Sequence, residues 1–161
     1  MSEVVETRSD PPQGPAPDPT PDSTPAPGKA GALYELTKPG IAGYVMMTAG
    51  VSYYVASGGS AEILPVTHTV LGVALGTAGA LALNQYVERD VDAIMTRTQT
   101  RPLPSGRLRP GEALAFGWAL LVAGLAYLGL TVGWLPSVLT AASAAAYILA
   151  YTPLKTRSYL A

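Results

Sequence analysis

Three oxygen-bearing side chains recur at intervals of four residues near the middle of the chain. Asn84, Glu88 and Asp92 occupy positions i, i+4 and i+8 of the stretch LNQYVERDVDAI. On an α-helix each step of four residues advances about 40° around the axis, so the three side chains line one face. Two carboxylates and an amide oxygen are the type of ligand that Mg²⁺ takes, with a substrate phosphate completing the shell. The spacing therefore predicts a magnesium-dependent phosphate site.

The same acidic cluster has a second interpretation, which the sequence leaves open. A helix C-terminus carries partial negative charge, so Glu88, Asp90 and Asp92 there require positive compensation. Arg89 and the arginines of the following loop would supply this positive charge. In this interpretation the arginines only set the membrane orientation, and the acids only cap the helix. That interpretation explains the arginines, but it does not explain why the amide and two acids share a face.

The loop after the acids supplies groups that fit a diphosphate. Arg97, Arg101 and Arg107 follow closely, and guanidinium forks match phosphate geometry. The Pro-Leu-Pro-Ser-Gly sequence after Arg101 stiffens and turns the loop, so we expect it to fold back over the acids. Acids and arginines together predict a metal-bridged diphosphate site.

The sequence YTPLK near the end of the chain offers two further candidates, Tyr151 and Lys155. Tyrosine at headgroup level with a snorkelling lysine is typical of a membrane interface. The alternative is that both side chains donate to a leaving diphosphate at the same depth as the acids.

Composition indicates that a membrane surrounds these candidates. Hydrophobic residues make up 48% of the 161 residues and charged residues only 13%, whereas soluble domains carry about 25% charged residues. The chain has no cysteine and a single histidine, His68, which excludes disulfides, a cysteine nucleophile and multi-histidine metal sites. Its net charge of −1, with basic residues scattered between apolar runs, gives no indication of nucleic-acid binding.

Four apolar runs predict an all-α membrane protein with about four transmembrane helices. They cover approximately residues 41–57, 63–86, 113–132 and 135–152. Every Lys and Arg falls before the first run, between the second and third, or after the fourth. The positive-inside tendency then places the N-terminus and the acidic loop region in the cytoplasm.

The N-terminal segment and two smaller features of the apolar runs complete this organisation. Residues 1–29 are Pro-rich, with eight of the 15 prolines in residues 1–28, and predict a disordered cytoplasmic tail ahead of a domain over 30–161. The spacing of Gly72, Gly76 and Gly79 predicts a close helix-packing face. For His68 a hydrogen bond to a neighbouring helix is favoured over a ligand role.

These motifs resemble the UbiA superfamily of intramembrane prenyltransferases, whose first aspartate-rich motif is Asn-x-x-x-Asp-x-x-x-Asp. Asn84, Glu88 and Asp92 match it, with Glu at the middle position. Within the superfamily, LTKP at 36–39, the run ERDVDAIMTRT-x-x-RPLPSG and YTPLK are most similar to the protoheme IX farnesyltransferases, or heme O synthases. The resemblance covers about residues 33–161.

The resemblance implies roles for the candidate residues. Asn84, Glu88 and Asp92 would bind Mg²⁺ and farnesyl diphosphate and carry the catalysis, and Tyr151 and Lys155 would contact the diphosphate. Arg97 and Arg101 would bind the diphosphate or order the loop. The implied reaction transfers farnesyl to a vinyl group of protoheme IX to give heme O, in the inner cell membrane. The implied partners are the lipid bilayer and a downstream heme A synthase or terminal oxidase.

The chain departs from the family pattern in lacking a second aspartate-rich motif. The interpretation is therefore an N-terminal fragment, or one piece of a split gene, that is inactive without a C-terminal half. Two other functions stay open at this point. One is a related prenyltransferase for another aromatic or chlorin acceptor. The other is a non-catalytic scaffold or transport protein that uses Glu88 and Asp92 for ion handling.

Overall fold

The computed structural model describes residues 28–60 and 62–152, and this part of the chain is helical without strands. The helices in chain order are α1 (Lys29–Leu36), α2 (Pro39–Ala56), α3 (Ile63–Ile94), α4 (Pro110–Thr131) and α5 (Trp134–Ala145), which continues into a π-helical turn over Ala146–Tyr151. The predicted all-α class is confirmed. The predicted tail over 1–29 lies almost entirely outside the described residues.

Three helical segments are long and apolar enough to cross a membrane, judged on the described residues. They are Ile63–Ile94, Pro110–Thr131 and Trp134–Tyr151. The fourth predicted crossing corresponds to α2, which has 18 residues but is not among them. Tyrosines, glycines and hydroxyl side chains interrupt the aliphatic residues of this helix.

Helix α3 is the centre of the bundle and packs most closely against α4. A Cβ at Gly79 would lie 2.4 Å from the backbone nitrogen of Leu121, and one at Gly124 would lie 2.4 Å from the backbone nitrogen of Gly76. The two backbones meet at positions where at least one of them is a glycine without a side chain, which is how small residues favour association without a hydrophobic drive. The predicted glycine packing face is confirmed.

Contacts between elements bring α1 and the ends of α3, α4 and α5 together at one end of the bundle. Gln85 Nε2 donates to the carbonyl of Leu36 at 3.0 Å, and Lys29 pairs with Glu112 at 2.8 Å. We call this the site end, defined by α1, residues 84–109 and residues 151–152. At the other end His68 Nδ1 lies 2.6 Å from the hydroxyl of Tyr127, so the predicted interhelical partner of His68 is present.

Candidate active site

The three candidate ligands lie together on the buried face of α3. The helix continues to Ile94, well past the apolar run, so the whole i, i+4, i+8 series is helical. Asn84 is 2% exposed, and Glu88 and Asp92 are each 5% exposed. The neighbouring carboxylate of Asp90 is 83% exposed. Helical periodicity thus separates one solvated acid from two that face the interior of the bundle.

Asn84 connects Glu88 to the end of the last helix. Its Nδ2 donates to Glu88 Oε2 at 3.1 Å, and its Oδ1 accepts from the hydroxyl of Thr152 at 2.5 Å. Both bonds are buried, where a polar group without a partner is costly. The orientation of the amide is therefore set from two sides, by α3 itself and by the residue that follows the π-helical turn.

The loop after α3 folds back over the acids, as its sequence predicts. Arg101 Nη1 lies 2.5 Å from Asp92 Oδ2 and 3.9 Å from Glu88 Oε2. Thr98 holds the start of the loop by donating to the carbonyl of Asp92 at 2.9 Å. Farther along, Gly106 adopts a left-handed φ of 74°, which glycine tolerates without strain. Arg101 supplies positive charge to both carboxylates, as the second interpretation expects of a loop arginine.

The other candidate arginines are placed differently from Arg101. Arg107 lies 2.9 Å from Glu35 of α1 and donates to the carbonyl of Thr100 at 2.6 Å, so it fastens the loop to α1. Arg97 is exposed and forms no ion pair with any residue in the described part of the chain. The structure brings only one of the predicted loop arginines to the acids, and the role of Arg97 at a diphosphate stays a prediction.

The YTPLK motif reaches the site through a residue that sequence reasoning missed. Tyr151 is 46% exposed and stacks on Tyr147 with ring centroids 5.7 Å apart. Lys155 lies outside the described residues. It is Thr152, 1% exposed, that contacts Asn84. Its signal in the sequence was weak, because a threonine at the end of an apolar run is also typical of a helix that simply leaves the bilayer.

An apolar groove of about 610 Å³ lies between α2, α3 and α5. Its lining is largely aliphatic and includes Val45, Val73, Leu81, Leu139 and Tyr147. At the site end it reaches Leu81, one helical turn before Asn84, and Tyr147. The groove therefore combines a long apolar wall with a charged end.

The donor set fits Mg²⁺ only if a substrate completes the shell. Among the described residues there is no group of three or more His, Cys, Asp or Glu side chains that would hold a metal. The two carboxylates match the mode in which Mg²⁺ binds through one or two carboxylates, with phosphate oxygens and water as further ligands. The Asn84 amide turns its N–H₂ to Glu88 and its oxygen to Thr152, so its role as an oxygen ligand stays a prediction. The arrangement suits a cation that arrives with a phosphate and not a dedicated protein cage.

Comparison with known families now decides between the open interpretations at the family level. The UbiA prenyltransferase family model matches residues 45–161, which include the acids, the loop and the YTPLK motif. The chain belongs to the UbiA prenyltransferase family. No solved structure matched the chain.

Relatives with similar sequences are named protoheme IX farnesyltransferase. The protein from Solibacter usitatus is 41% identical over 134 residues, covering 78% of this chain and 46% of the relative. That from Alkalilimnicola ehrlichii is 44% identical over 117 residues, covering 73% and 39%. That from Aquifex aeolicus is 38% identical over 122 residues, covering 76% and 42%. The chain thus spans less than half the length of these relatives.

Proposed function

We propose that this chain supplies the first diphosphate site of an enzyme that transfers farnesyl from farnesyl diphosphate to a vinyl group of protoheme IX, giving heme O. The description of its relatives supports this choice of substrates. The observation that carries the proposal is the buried Glu88 and Asp92 pair, with Arg101 folded onto it, at the charged end of an apolar groove.

The proposed reaction requires an allylic carbon–oxygen bond to break, with the electron pair leaving on the diphosphate. The farnesyl carbon then bonds to the vinyl group, and water adds to the resulting cation as hydroxyl with release of a proton. Mg²⁺, held by Glu88 and Asp92 with Asn84, would neutralise charge on the diphosphate. Arg101 is placed to add a guanidinium to the same oxygens, and electrostatic groups fixed in this way stabilise developing charge.

The groove has the chemistry that a farnesyl chain requires. Its aliphatic walls would bind the isoprenoid tail, and exclusion of bulk water would limit hydrolysis of the allylic cation. Tyr151 and Lys155 would donate to the diphosphate, and Arg97 would order the loop or reach the same group. Each of these roles follows from the family resemblance and the position of the residue in the chain.

The proposed location is the inner cell membrane, with the site end in the cytoplasm. Arg101 and Arg107 belong to the site end, whereas the loops that connect the helices at the other end contain no Lys or Arg. This distribution supports the orientation through the positive-inside tendency. Protoheme IX, farnesyl diphosphate, the bilayer, the remaining half of the enzyme and a heme-consuming enzyme are the proposed partners.

Production of heme O in cells tests the proposal directly. The complete gene is expressed in bacteria that lack their own heme O synthase. The hemes are then extracted and identified by mass spectrometry. We expect heme O with the wild type and none with Glu88→Gln. Membrane-inserted wild-type protein without heme O would contradict the proposal, and a prenylated chlorin or quinone precursor instead would identify a different acceptor.

A further inference from the structure

Thr152 is the best-buried polar group at the site end that the proposed reaction does not use. Its hydroxyl oxygen lies 2.5 Å from Asn84 Oδ1 and 2.9 Å from the carbonyl oxygen of Tyr147. The first contact joins the end of the last described helix to the centre of α3. The second lies inside a π-helical turn, a local widening of the helix that is often found at functional sites.

The donor and acceptor roles around Asn84 follow from chemistry. A carboxylate only accepts hydrogen bonds, so Asn84 must present its amide N–H₂ to Glu88. Its carbonyl oxygen then faces Thr152, and the hydroxyl must donate its single proton there. The carbonyl of Tyr147 competes for that proton over the longer of the two distances. Thr152 therefore favours one of the two orientations of the Asn84 amide.

Without this hydroxyl the amide would lose the contact that distinguishes its two ends. A rotated amide would turn its oxygen toward Glu88 Oε2, and two acceptors would face each other in a buried setting. Glu88 would then lose the Asn84 N–H₂ donor, one of the contacts that orient its carboxylate. Groups that hydrogen-bond to a metal ligand without touching the metal orient that ligand and contribute strongly to metal affinity.

We propose that Thr152 is a positioning residue for the divalent cation, acting through Asn84 on Glu88. The acid face would then reach its binding geometry only when the end of the last described helix is docked against α3. This inference rests on the proposed function, because it assumes that the acids hold a cation together with a diphosphate.

Metal-dependent retention of inorganic pyrophosphate tests the inference without catalysis. The full protein is purified in detergent, and retention of radiolabelled pyrophosphate is measured against Mn²⁺ concentration for the wild type, Thr152→Val and Thr152→Ser. Valine keeps the shape and removes the hydroxyl, whereas serine keeps the hydroxyl. The matched control is Thr69→Val. Thr69 lies on α3 and is also buried, but its hydroxyl donates to the carbonyl of Pro65 on the same helix.

We expect Thr152→Val to require about 10-fold or more Mn²⁺ for half-maximal retention, the usual loss for such a partner. Thr152→Ser and Thr69→Val should remain close to the wild type. Wild-type retention by Thr152→Val, or an equal loss in Thr152→Ser, would overturn the inference. If Thr152→Val does not fold, Thr152→Ala takes its place. A wild type without Mn²⁺-dependent retention would contradict the proposed function itself.

Discussion

Arg101 and Asp92 form an ion pair with Nη1 and Oδ2 2.5 Å apart, although a turning loop separates the two residues in sequence. The side chain of Asp92 is 6% exposed, and that of Arg101 is 25% exposed. Removing one partner of a largely buried pair leaves the other charge without compensation, which costs more than the pair contributes. The position of the loop and the charge balance of the site thus depend on the same contact.

Arg101→Gln should therefore lower the free energy of unfolding in detergent by about 2 kcal/mol, discounted for the partial exposure of the guanidinium. Adding Asp92→Asn to this variant removes the carboxylate charge that has lost its partner, and it should restore part of the lost free energy of unfolding. Chemical denaturation of the two single variants and the double variant measures the coupling. Strictly additive losses would show that the contact carries no net energy.

Asp92→Asn should lower heme O formation by about 100-fold or more, the scale seen when one electrostatic group at a reacting centre is removed. The control is Asp90→Asn, because this carboxylate is 83% exposed on the other side of the helix and should leave the rate unchanged. Both variants are compared at equal membrane abundance by quantifying extracted hemes. A similar fall for both would argue against a specific role for the buried face.

Gly124→Ala should destabilise the bundle by about 1–3 kcal/mol, because the added methyl would overpack the crossing of α3 and α4. Its Cβ would lie 2.4 Å from the backbone nitrogen of Gly76. Gly129→Ala is the control on the same helix, since its nearest contact would be 3.9 Å away, and it should be neutral or slightly stabilising. Thermal unfolding in detergent separates the two, and equal melting temperatures would contradict the close crossing.

Tyr127→Phe should reduce stability by about 1 kcal/mol, because it removes the hydroxyl partner of His68 at 2.6 Å. The pair lies at the end of the bundle away from the acids, so we expect heme O formation at moderate temperature to be unchanged. Unfolding and product yield are measured on the same preparations. A large loss of product with unchanged stability would give His68 a functional role that its position does not suggest.

The sequence predicted the helical class and the shared face of the acids because both depend on local periodicity. A step of four residues places Asn84, Glu88 and Asp92 together whatever the tertiary structure, and the close approach at Gly79 follows from the small-residue pattern of α3. The fold-back of the loop was predictable from its prolines and from Gly106. These features require no knowledge of which helix lies beside which.

The residues that sequence reasoning missed depend on contacts between distant segments. Thr152 and Gln85 act on partners far along the chain, and nothing in their residue types distinguishes them from solvated residues at a membrane surface. The same limit applies to the arginines. Arg101 and Arg107 are equally basic, yet one contacts Asp92 and the other contacts Glu35, which only the path of the folded loop decides.

The unbroken course of α3 fixes the distance between the buried acids and the apolar wall of the groove. One continuous backbone carries Val73 in the groove wall and Glu88 among the acids, and its rise of about 1.5 Å per residue sets their separation. Deleting a single residue between them would rotate the acids by about 100° relative to the wall. In the proposed reaction, one helix would therefore govern both the length of the substrate and the position of its headgroup, so this segment should tolerate substitutions far better than insertions or deletions.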